Sequence, residues 1–250
     1  LNPKRIEFEK IFRQKDENFI QKLEYIRRNQ LTNEVLDYFN RRVTGEKNLL
    51  DGFILLTPTN RKANAINQKR LNDIDSPQFT FTGKVTGSFK PEDMMSEKDL
   101  KLRVGAQIML TKNDPSDRWV NGTMGSIHKL DKDKIFIKIG NKVFLVEKVL
   151  WEKFDYTVKD GKFEPKVIGT FEQYPIKLSW AATIHKCQGQ TFENAVVDLD
   201  TGAFAHGMTY VALSRVKKID GLRLIRPLRF SDIRFDERIY NFQKTVELFY

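Results

Sequence analysis

The sequence predicts an α/β domain that is interrupted by a small all-β insertion. Residues 53–56 and 195–199 form short, almost wholly apolar runs, which are typical of strands buried on both faces. Polar turns and helical patterns follow these runs, as in the strand–turn–helix unit of α/β folds. Between them the hydrophobic period changes to two, which indicates half-buried strands. The two periodicities therefore predict two kinds of architecture in one chain.

The first 45 residues predict a helical entry segment. Phe19, Leu23 and Ile26 recur at helical spacing, and Thr32 is placed to cap a second helix that carries Val35 and its apolar neighbours. A buried strand over 53–56 follows. The polar turn Thr-Pro-Thr-Asn then leads into a helix with apolar residues at 63, 66 and 71.

From about residue 79 alternating apolar residues predict half-buried strands, with single runs at 79–81, 102–110 and 135–139. Gly140-Asn141 and Asp160-Gly161 predict tight hairpin turns. Several short strands between about 121 and 175 suggest a small barrel. From residue 178 the α/β style returns, with strands at 195–199 and 222–225, a helix at 209–216 and a last helix from about 239.

Composition narrows the class of partner. Forty-three basic against 33 acidic residues give a net charge of +10, which favours a polyanionic partner or else reflects an ordinary basic surface. The single cysteine, Cys187, excludes an internal disulfide and suits a reducing cytoplasm or nucleoid. Three histidines and one cysteine give no metal-ligand spacing. Because no apolar run could span a bilayer, we expect no membrane partner.

Two segments carry the most chemical information. Residues 178–192 read LSWAATIHKCQGQTF, in which a strand-like start runs into hydroxyl, imidazole, ammonium and amide groups around one glycine. That mixture suits the end of a strand that meets phosphates. About two dozen residues later, GMTYVALSRVK ends a helical pattern on a placed guanidinium. In order and spacing the two segments resemble motifs V and VI of superfamily-one DNA helicases, and most closely the Pif type (petite integration frequency), which is related to the RecD helicases.

The resemblance implies a RecA-like α/β domain with an inserted SH3-like barrel. Pif-type helicases have two RecA-like domains with an ATP site in the cleft between them, and the second carries the barrel before motif V. On this basis residues 1–120 and 176–250 form the second RecA-like domain, and 121–175 form the barrel. No G-x-x-x-x-G-K-[ST] loop occurs. We therefore expect ATP with Mg²⁺ to be bound mainly by an amino-terminal RecA-like domain, and the present chain alone to be inactive.

Two arginines are the candidate catalytic residues. The resemblance makes Arg215 the arginine finger of motif VI, and an arginine in that role contributes about 10³–10⁵ to the rate of phosphoryl transfer. Arg13, in Ile-Phe-Arg-Gln, resembles the arginine of motif IV, which also reaches the γ-phosphate. The alternatives are a surface arginine at a helix end for Arg215, and for Arg13 a helical pair with Glu9 or Glu17.

Gln188, Gly189 and Gln190 are the candidate nucleotide-binding residues. Glycine permits close backbone approach, and an amide can bond a ribose hydroxyl or a phosphate. The alternative is a glycine that simply ends a helix. Several relatives carry an acidic residue after this glycine, whereas this chain has Gln190.

Two polar clusters are the candidate DNA contacts. Each follows a strand of the predicted parallel sheet, so both are expected to face one groove and to hold phosphates without reading base sequence. For the first cluster the alternative is helix capping by Thr59 or Asn60, and for His185 it is a structural histidine. The candidate residues are Thr57, Thr59, Asn60, Thr183, His185 and Lys186.

The leading hypothesis is the carboxy-terminal motor half of an ATP-dependent 5′-to-3′ DNA helicase acting on single-stranded, forked or structured DNA. The direction comes from the resemblance. One alternative is a non-catalytic single-stranded nucleic-acid-binding module, and another is the helicase part of a relaxase or of a RecD-like nuclease complex. Flanking motifs would separate these hypotheses.

Overall fold

The structure is a computed structural model that describes residues 11–45, 51–159 and 162–245. The chain folds into two compact units. The first comprises the residues up to 64 and from 181 onward, and the second comprises residues 65–180. The predicted limits of the barrel, 121–175, stay a prediction. The second unit begins earlier in the chain and contains the four strands between residues 79 and 110.

Five helices and fourteen strands make up the described regular structure, apart from four single turns of 3₁₀ helix. The helices are α1 (Glu17–Arg27), α2 (Asn33–Asn40), α3 (Asn60–Asn72), α4 (Met208–Leu213) and α5 (Glu237–Thr245). The strands are β1 (Ile54–Thr57), β2 (Phe79–Thr82), β3 (Lys84–Gly87), β4 (Asp99–Leu102), β5 (Gln107–Leu110), β6 (Met124–Asp131), β7 (Lys134–Ile139), β8 (Lys142–Val146), β9 (Val149–Lys159), β10 (Lys162–Gln173), β11 (Ile176–Leu178), β12 (Ala181–Thr183), β13 (Ala195–Val197) and β14 (Leu222–Leu224).

The first unit is built on a four-stranded parallel sheet in the order β12-β1-β13-β14. Strands β1, β12 and β13 are buried along their whole length, and for β1 and β13 the apolar runs predict this. The fold class is confirmed as α/β. Parallel strands that are buried in this way need helices on the faces of the sheet.

Capping side chains start the first two helices. The start of α2 at Thr32 agrees with the prediction, whereas the described residues before Glu17 are not helical, although the sequence predicts that they are. The Asp16 carboxylate accepts a hydrogen bond from the Phe19 N–H, and the Thr32 hydroxyl accepts one from the Val35 N–H at 3.3 Å. Both are side-chain caps for backbone donors that the first helical turn leaves unpaired. The apolar residues at helical spacing, including Phe19 and Phe39, are fully buried.

The second unit is antiparallel throughout its described strands. One sheet has the order β11-β5-β6-β7-β8, another has the order β3-β10-β9, and β2 pairs with β4. Gly140, with φ of +57°, makes the predicted hairpin turn between β7 and β8. The predicted Asp160-Gly161 turn lies outside the described residues.

Two sequence interpretations about strands are wrong. The alternating run at 102–110 is not one strand, because Gly105 turns the chain with φ of +89° between β4 and β5. The strand-like start of the 178–192 segment is also not the strand of the parallel sheet that ends at Thr183. β11 pairs antiparallel with β5, and the strand that ends on Thr183 is the separate β12.

The predicted helix at 209–216 is shorter than expected, since α4 ends at Leu213. The last predicted helix corresponds to α5, and its apolar positions 246 and 249 lie outside the described residues. None of the described helices is both long and apolar enough to cross a membrane.

Candidate nucleotide and nucleic-acid sites

The two predicted DNA-contact clusters follow neighbouring parallel strands. Thr57 ends β1, Thr183 ends β12, and the two residues are register partners. The Ile184 N–H donates to the Thr57 carbonyl at 3.0 Å, so the chain leaves both strands at the same edge of the sheet. Ligands of parallel α/β sheets collect at this carboxyl edge. The structure therefore brings the two clusters together.

Their side chains differ in accessibility. Thr57 is 0% exposed, and its hydroxyl has no hydrogen-bond partner among the described residues. Thr183 is buried as well. The side chains of these two threonines lie inside the unit, whereas the other four candidates are exposed at its surface.

Thr59 and Asn60 begin α3. The Thr59 hydroxyl accepts from the Lys62 N–H at 3.4 Å, which is a weak capping contact, and its carbonyl accepts from the Ala63 N–H. Thr59 therefore caps α3, which is the alternative role predicted for it from the sequence. Because a hydroxyl carries two lone pairs and one O–H, the same group retains capacity for a phosphate.

His185 and Lys186 lie on a single turn of 3₁₀ helix directly after β12. Both are exposed, while Cys187 in the same turn is fully buried. The His185 ring packs on the ring of Phe204 with 5.8 Å between centroids. This turn displays one cation and one aromatic ring at the sheet edge, and it uses the cysteine as its anchor.

The backbone then turns at Gly189, whose φ is +84°. No other atom lies within 4 Å of the position that a Cβ would take, so this glycine is set by its backbone conformation and not by crowding. The Gln190 carbonyl accepts from Arg215 Nη1 at 3.2 Å, and the Gln190 Oε1 is buried without a partner among the described residues. A buried acceptor without a partner is uncommon in folded proteins and marks this side chain for further attention.

Arg215 is held deep beside this turn and is 5% exposed. Three of its five N–H donors are used within the unit, because Nε donates to the Val211 carbonyl at 2.7 Å, Nη1 to Gln190 and Nη2 to the Ser214 hydroxyl at 2.6 Å. Burial, and secondly the positive charge of Arg13, lower the pKa of Arg215 to about 10. The guanidinium stays protonated at neutral pH, although its environment disfavours the charge.

Arg13 reaches the same place from the start of the described chain. Its Nε donates to the Thr191 hydroxyl at 2.8 Å, and its Nη1 donates to the Ser214 carbonyl at 3.2 Å. Gln14 donates to that carbonyl at 3.0 Å as well. Burial lowers the pKa of Arg13. Both predicted arginines therefore converge on Ser214.

A cavity of about 450 Å³ opens beside this convergence. Its walls include six residues that the sequence interpretation did not select as site residues, among them three polar ones. Gln14 follows Arg13, Thr191 follows Gln190, and Ser214 precedes Arg215. Their position next to the predicted site residues is the sequence feature that could have identified them. The full lining consists of Ile11, Phe12, Arg13, Gln14, Thr191, Tyr210 and Ser214.

No described group of three or more His, Cys, Asp or Glu residues could hold a metal ion. Lys62 lies near the sheet edge and pairs with Asp198 at 2.8 Å and Asp200 at 3.2 Å. Those two carboxylates are thereby engaged by a cation of the same unit.

The known proteins that this chain resembles include DNA helicases. The family model described as the 2B domain of DNA helicase Pif1 matches residues 92–130. The ATP-dependent DNA helicase Pif1 of Bdellovibrio bacteriovorus is 30% identical over 240 residues, covering 93% of this chain and 52% of that protein. The predicted resemblance to Pif-type helicases is confirmed. The chain spans about half the length of the curated relatives that it matches.

Solved Pif1 structures extend the match to the fold. A Bacteroides sp Pif1 in complex with ADP-AlF4 superposes with a TM-score of 0.83 at 28% identity, covering 94% of this chain and 55% of that one. Bacteroides Pif1 bound to single-stranded DNA gives a TM-score of 0.68 at the same identity and coverage. The Pif1-type α/β fold thus extends over nearly the whole chain.

Proposed function

We propose that this chain is the carboxy-terminal motor region of an ATP-dependent 5′-to-3′ DNA helicase. Its Pif1-type relatives are ATP-dependent DNA helicases, and solved relatives hold ADP-AlF4 or single-stranded DNA. In this proposal Arg215 and Arg13 act on the nucleotide, and the carboxyl edge of the parallel sheet forms one wall of a single-stranded DNA groove.

The observation that carries the proposal is the pair of arginines without a counter-ion. Arg13 and Arg215 both bond Ser214, and neither pairs with a carboxylate among the described residues. Two guanidinium groups this close repel each other, and burial raises the cost of both charges. Arg13 and Ser214 line the adjoining cavity, and Arg215 bonds Ser214 from behind its wall. A phosphate placed there would offset the cost of the two charges, so the pair is preorganised for an anion.

Each guanidinium keeps donors for such an anion. Arg215 has two N–H groups, and Arg13 has three, beyond the hydrogen bonds found within the described residues. Negative charge develops on the γ-phosphate during phosphoryl transfer, and planar guanidinium groups stabilise it at fixed geometry. We assign Arg215 as the arginine finger and Arg13 as a second γ-phosphate contact.

The turn at Gln188, Gly189 and Gln190 completes this nucleotide face. Gly189 lets the backbone turn with no side chain in the way, and the orphaned Gln190 Oε1 can accept from a ribose hydroxyl. The described residues supply no carboxylate cluster for Mg²⁺. In this proposal the metal and the β-phosphate are held by an amino-terminal RecA-like domain of the same protein.

The sheet edge would hold the DNA through its backbone. Lys186 provides charge, and Thr59, Asn60 and His185 provide polar groups, all exposed at the ends of neighbouring strands. Thr57 and Thr183 are buried, so they are assigned the role of shaping this edge and not of contacting DNA. Phosphate contacts of this kind position a strand without reading its sequence.

The test is unwinding of a forked duplex by the intact protein. Arg215→Ala and Arg13→Ala are each expected to abolish ATP-dependent unwinding while single-strand affinity stays within about twofold of wild type. Arg28→Ala is the matched control, because Arg28 is exposed and pairs with Glu24 at 3.3 Å. Unwinding that survives both substitutions would remove the roles assigned to the two arginines. Strand binding without any ATP turnover or unwinding in the wild type would remove the motor assignment and favour the non-catalytic binding module.

A further inference from the structure

Phe204 is an exposed aromatic ring on a segment that the protein otherwise holds firmly. Its ring is 56% exposed, whereas its neighbour Ala203 and the nearby Leu199 are buried. The segment is fixed by backbone hydrogen bonds from Gly202 to Leu199 and from Gly207 to the Arg234 carbonyl, both at 2.9 Å. An exposed phenylalanine on a well-anchored segment loses little conformational entropy when a ligand covers it.

The ring lies against the proposed DNA wall. Phe204 and His185 contact each other with 5.8 Å between ring centroids and 34° between ring planes. His185 is exposed too, so the pair presents aromatic surface to solvent beside Lys186. Aromatic rings next to a phosphate-binding cation are the arrangement that proteins use for unpaired bases.

An exposed cation also contacts the backbone of Phe204. Arg234 Nη1 donates to the Phe204 carbonyl at 3.5 Å, and this arginine is exposed. Lys186 is exposed too and follows His185 in the chain. Two exposed cations on the segments that carry the rings favour a polyanionic chain over an apolar protein segment as the occupant.

We propose that Phe204 and His185 form a stacking platform for one unpaired base of single-stranded nucleic acid. The inference rests on the proposed function and deepens it, since the wall would then hold a base as well as phosphates. Stacking needs only the flat face of a base, so the platform would tolerate any sequence. It would exclude paired bases, whose faces are covered by their neighbours in the duplex.

The experiment compares two oligonucleotides in binding to the intact protein, measured by fluorescence anisotropy. One is oligothymidylate, and the other has the same backbone with abasic sites. Wild type is expected to prefer the strand with bases. Phe204→Ala is expected to lower affinity for that strand by about tenfold, which is about 1.4 kcal/mol and within the range for loss of one base–aromatic stack. Its affinity for the abasic strand should be unchanged.

Two further variants sharpen the result. Phe204→Trp is expected to retain the preference for bases, because tryptophan keeps a large aromatic face. Phe230→Ala is the matched control, since Phe230 is similarly exposed at 51% and makes no ring contact within the described residues. The salt dependence of binding should be the same in wild type and Phe204→Ala, because no phosphate contact is removed.

The outcomes separate the two claims. The platform is supported if wild type binds in a salt-dependent manner and prefers the strand with bases, while Phe204→Ala binds both strands with equal affinity. Salt-dependent binding in which Phe204→Ala retains the full preference for bases overturns the platform and leaves the proposed function standing. Absence of single-strand binding by the wild type overturns both. Phe204→Ala is expected to have the same thermal unfolding midpoint as wild type, because the site is exposed. Any change in affinity would then be due to loss of the ring.

Discussion

At the scale of single residues, the chemistry centres on two cations, the buried Arg215 and the half-buried Arg13, which share one neighbour. Ser214 accepts from Arg215 through its hydroxyl and from Arg13 through its carbonyl. These hydrogen bonds orient both guanidinium groups before any ligand arrives. Preorganised donors of this kind need no rearrangement at the moment of reaction, which is why they stabilise transition states effectively.

Arg215→Ala is expected to reduce kcat for ATP in the intact protein by about 10³-fold or more, with a smaller change in KM, because a finger acts on the transition state. Arg215→Lys should restore little activity, since an ammonium lacks the planar fork. Steady-state ATPase assays with saturating single-stranded DNA measure both constants. Retention of more than about a tenth of wild-type kcat would contradict the finger assignment.

The exposed pair His185 and Lys186 leads to a separate prediction. Replacing both by alanine is expected to weaken single-strand binding by the same factor on unrelated sequences, because phosphate contacts carry no base information. Removing the Lys186 charge should also lower the slope of log K against log salt by roughly 0.7. Titrations of two labelled oligonucleotides at several salt concentrations provide the measurement. An unchanged slope would assign these residues to packing instead.

At the scale of elements, the parallel sheet depends on a close approach between the segments that lead into β13 and β14. A Cβ added to Gly221 would lie 2.0 Å from the Glu193 carbonyl oxygen, which belongs to the backbone. That oxygen cannot move away as a flexible side chain would. Gly221 is therefore required because no side chain fits there. Gly189, in contrast, is required because its positive φ is unfavourable for other residues.

Gly221→Ala is expected to destabilise the fold by about 1–3 kcal/mol, the usual cost of forcing extra atoms into a packed site. Urea unfolding followed by circular dichroism measures the difference. Lys218→Ala is the matched control, because this exposed lysine precedes the same turn and surface substitutions usually stay within about 0.5 kcal/mol. Equal stabilities of the two variants would show that β13 and β14 separate without cost.

At the scale of the whole molecule, the net charge of +10 and the proposed single groove wall predict weak binding to single-stranded DNA by the 250-residue chain alone. Affinity should fall steeply with added salt as counterion release is lost. The same preparation should show no ATP turnover, because the sequence contains no phosphate-binding loop. Turnover by highly purified chain that disappears in Arg215→Ala would contradict this expectation.

The sequence by itself determined the local structure and the chemistry of the motifs. Buried runs predicted β1 and β13, Thr32 predicted the start of α2, and the glycine-asparagine pair predicted the turn after β7. These features depend on neighbours within a few residues, where periodicity and capping act directly. The same reasoning failed at residues 102–110 and at β11. The alternation of apolar and polar residues does not reveal where a strand is interrupted or which sheet it joins.

Only the tertiary structure decided which distant residues meet. Arg13 bonds Thr191 and Ser214, which lie 178 and 201 positions further along the chain, and no sequence period reports such a contact. The burial of Thr57 and Thr183, the cavity beside Ser214 and the packing of Phe204 on His185 likewise emerge only when the sheet is assembled. The physical reason is that local backbone preferences act over a few residues, whereas burial and long-range hydrogen bonding depend on how complete elements pack.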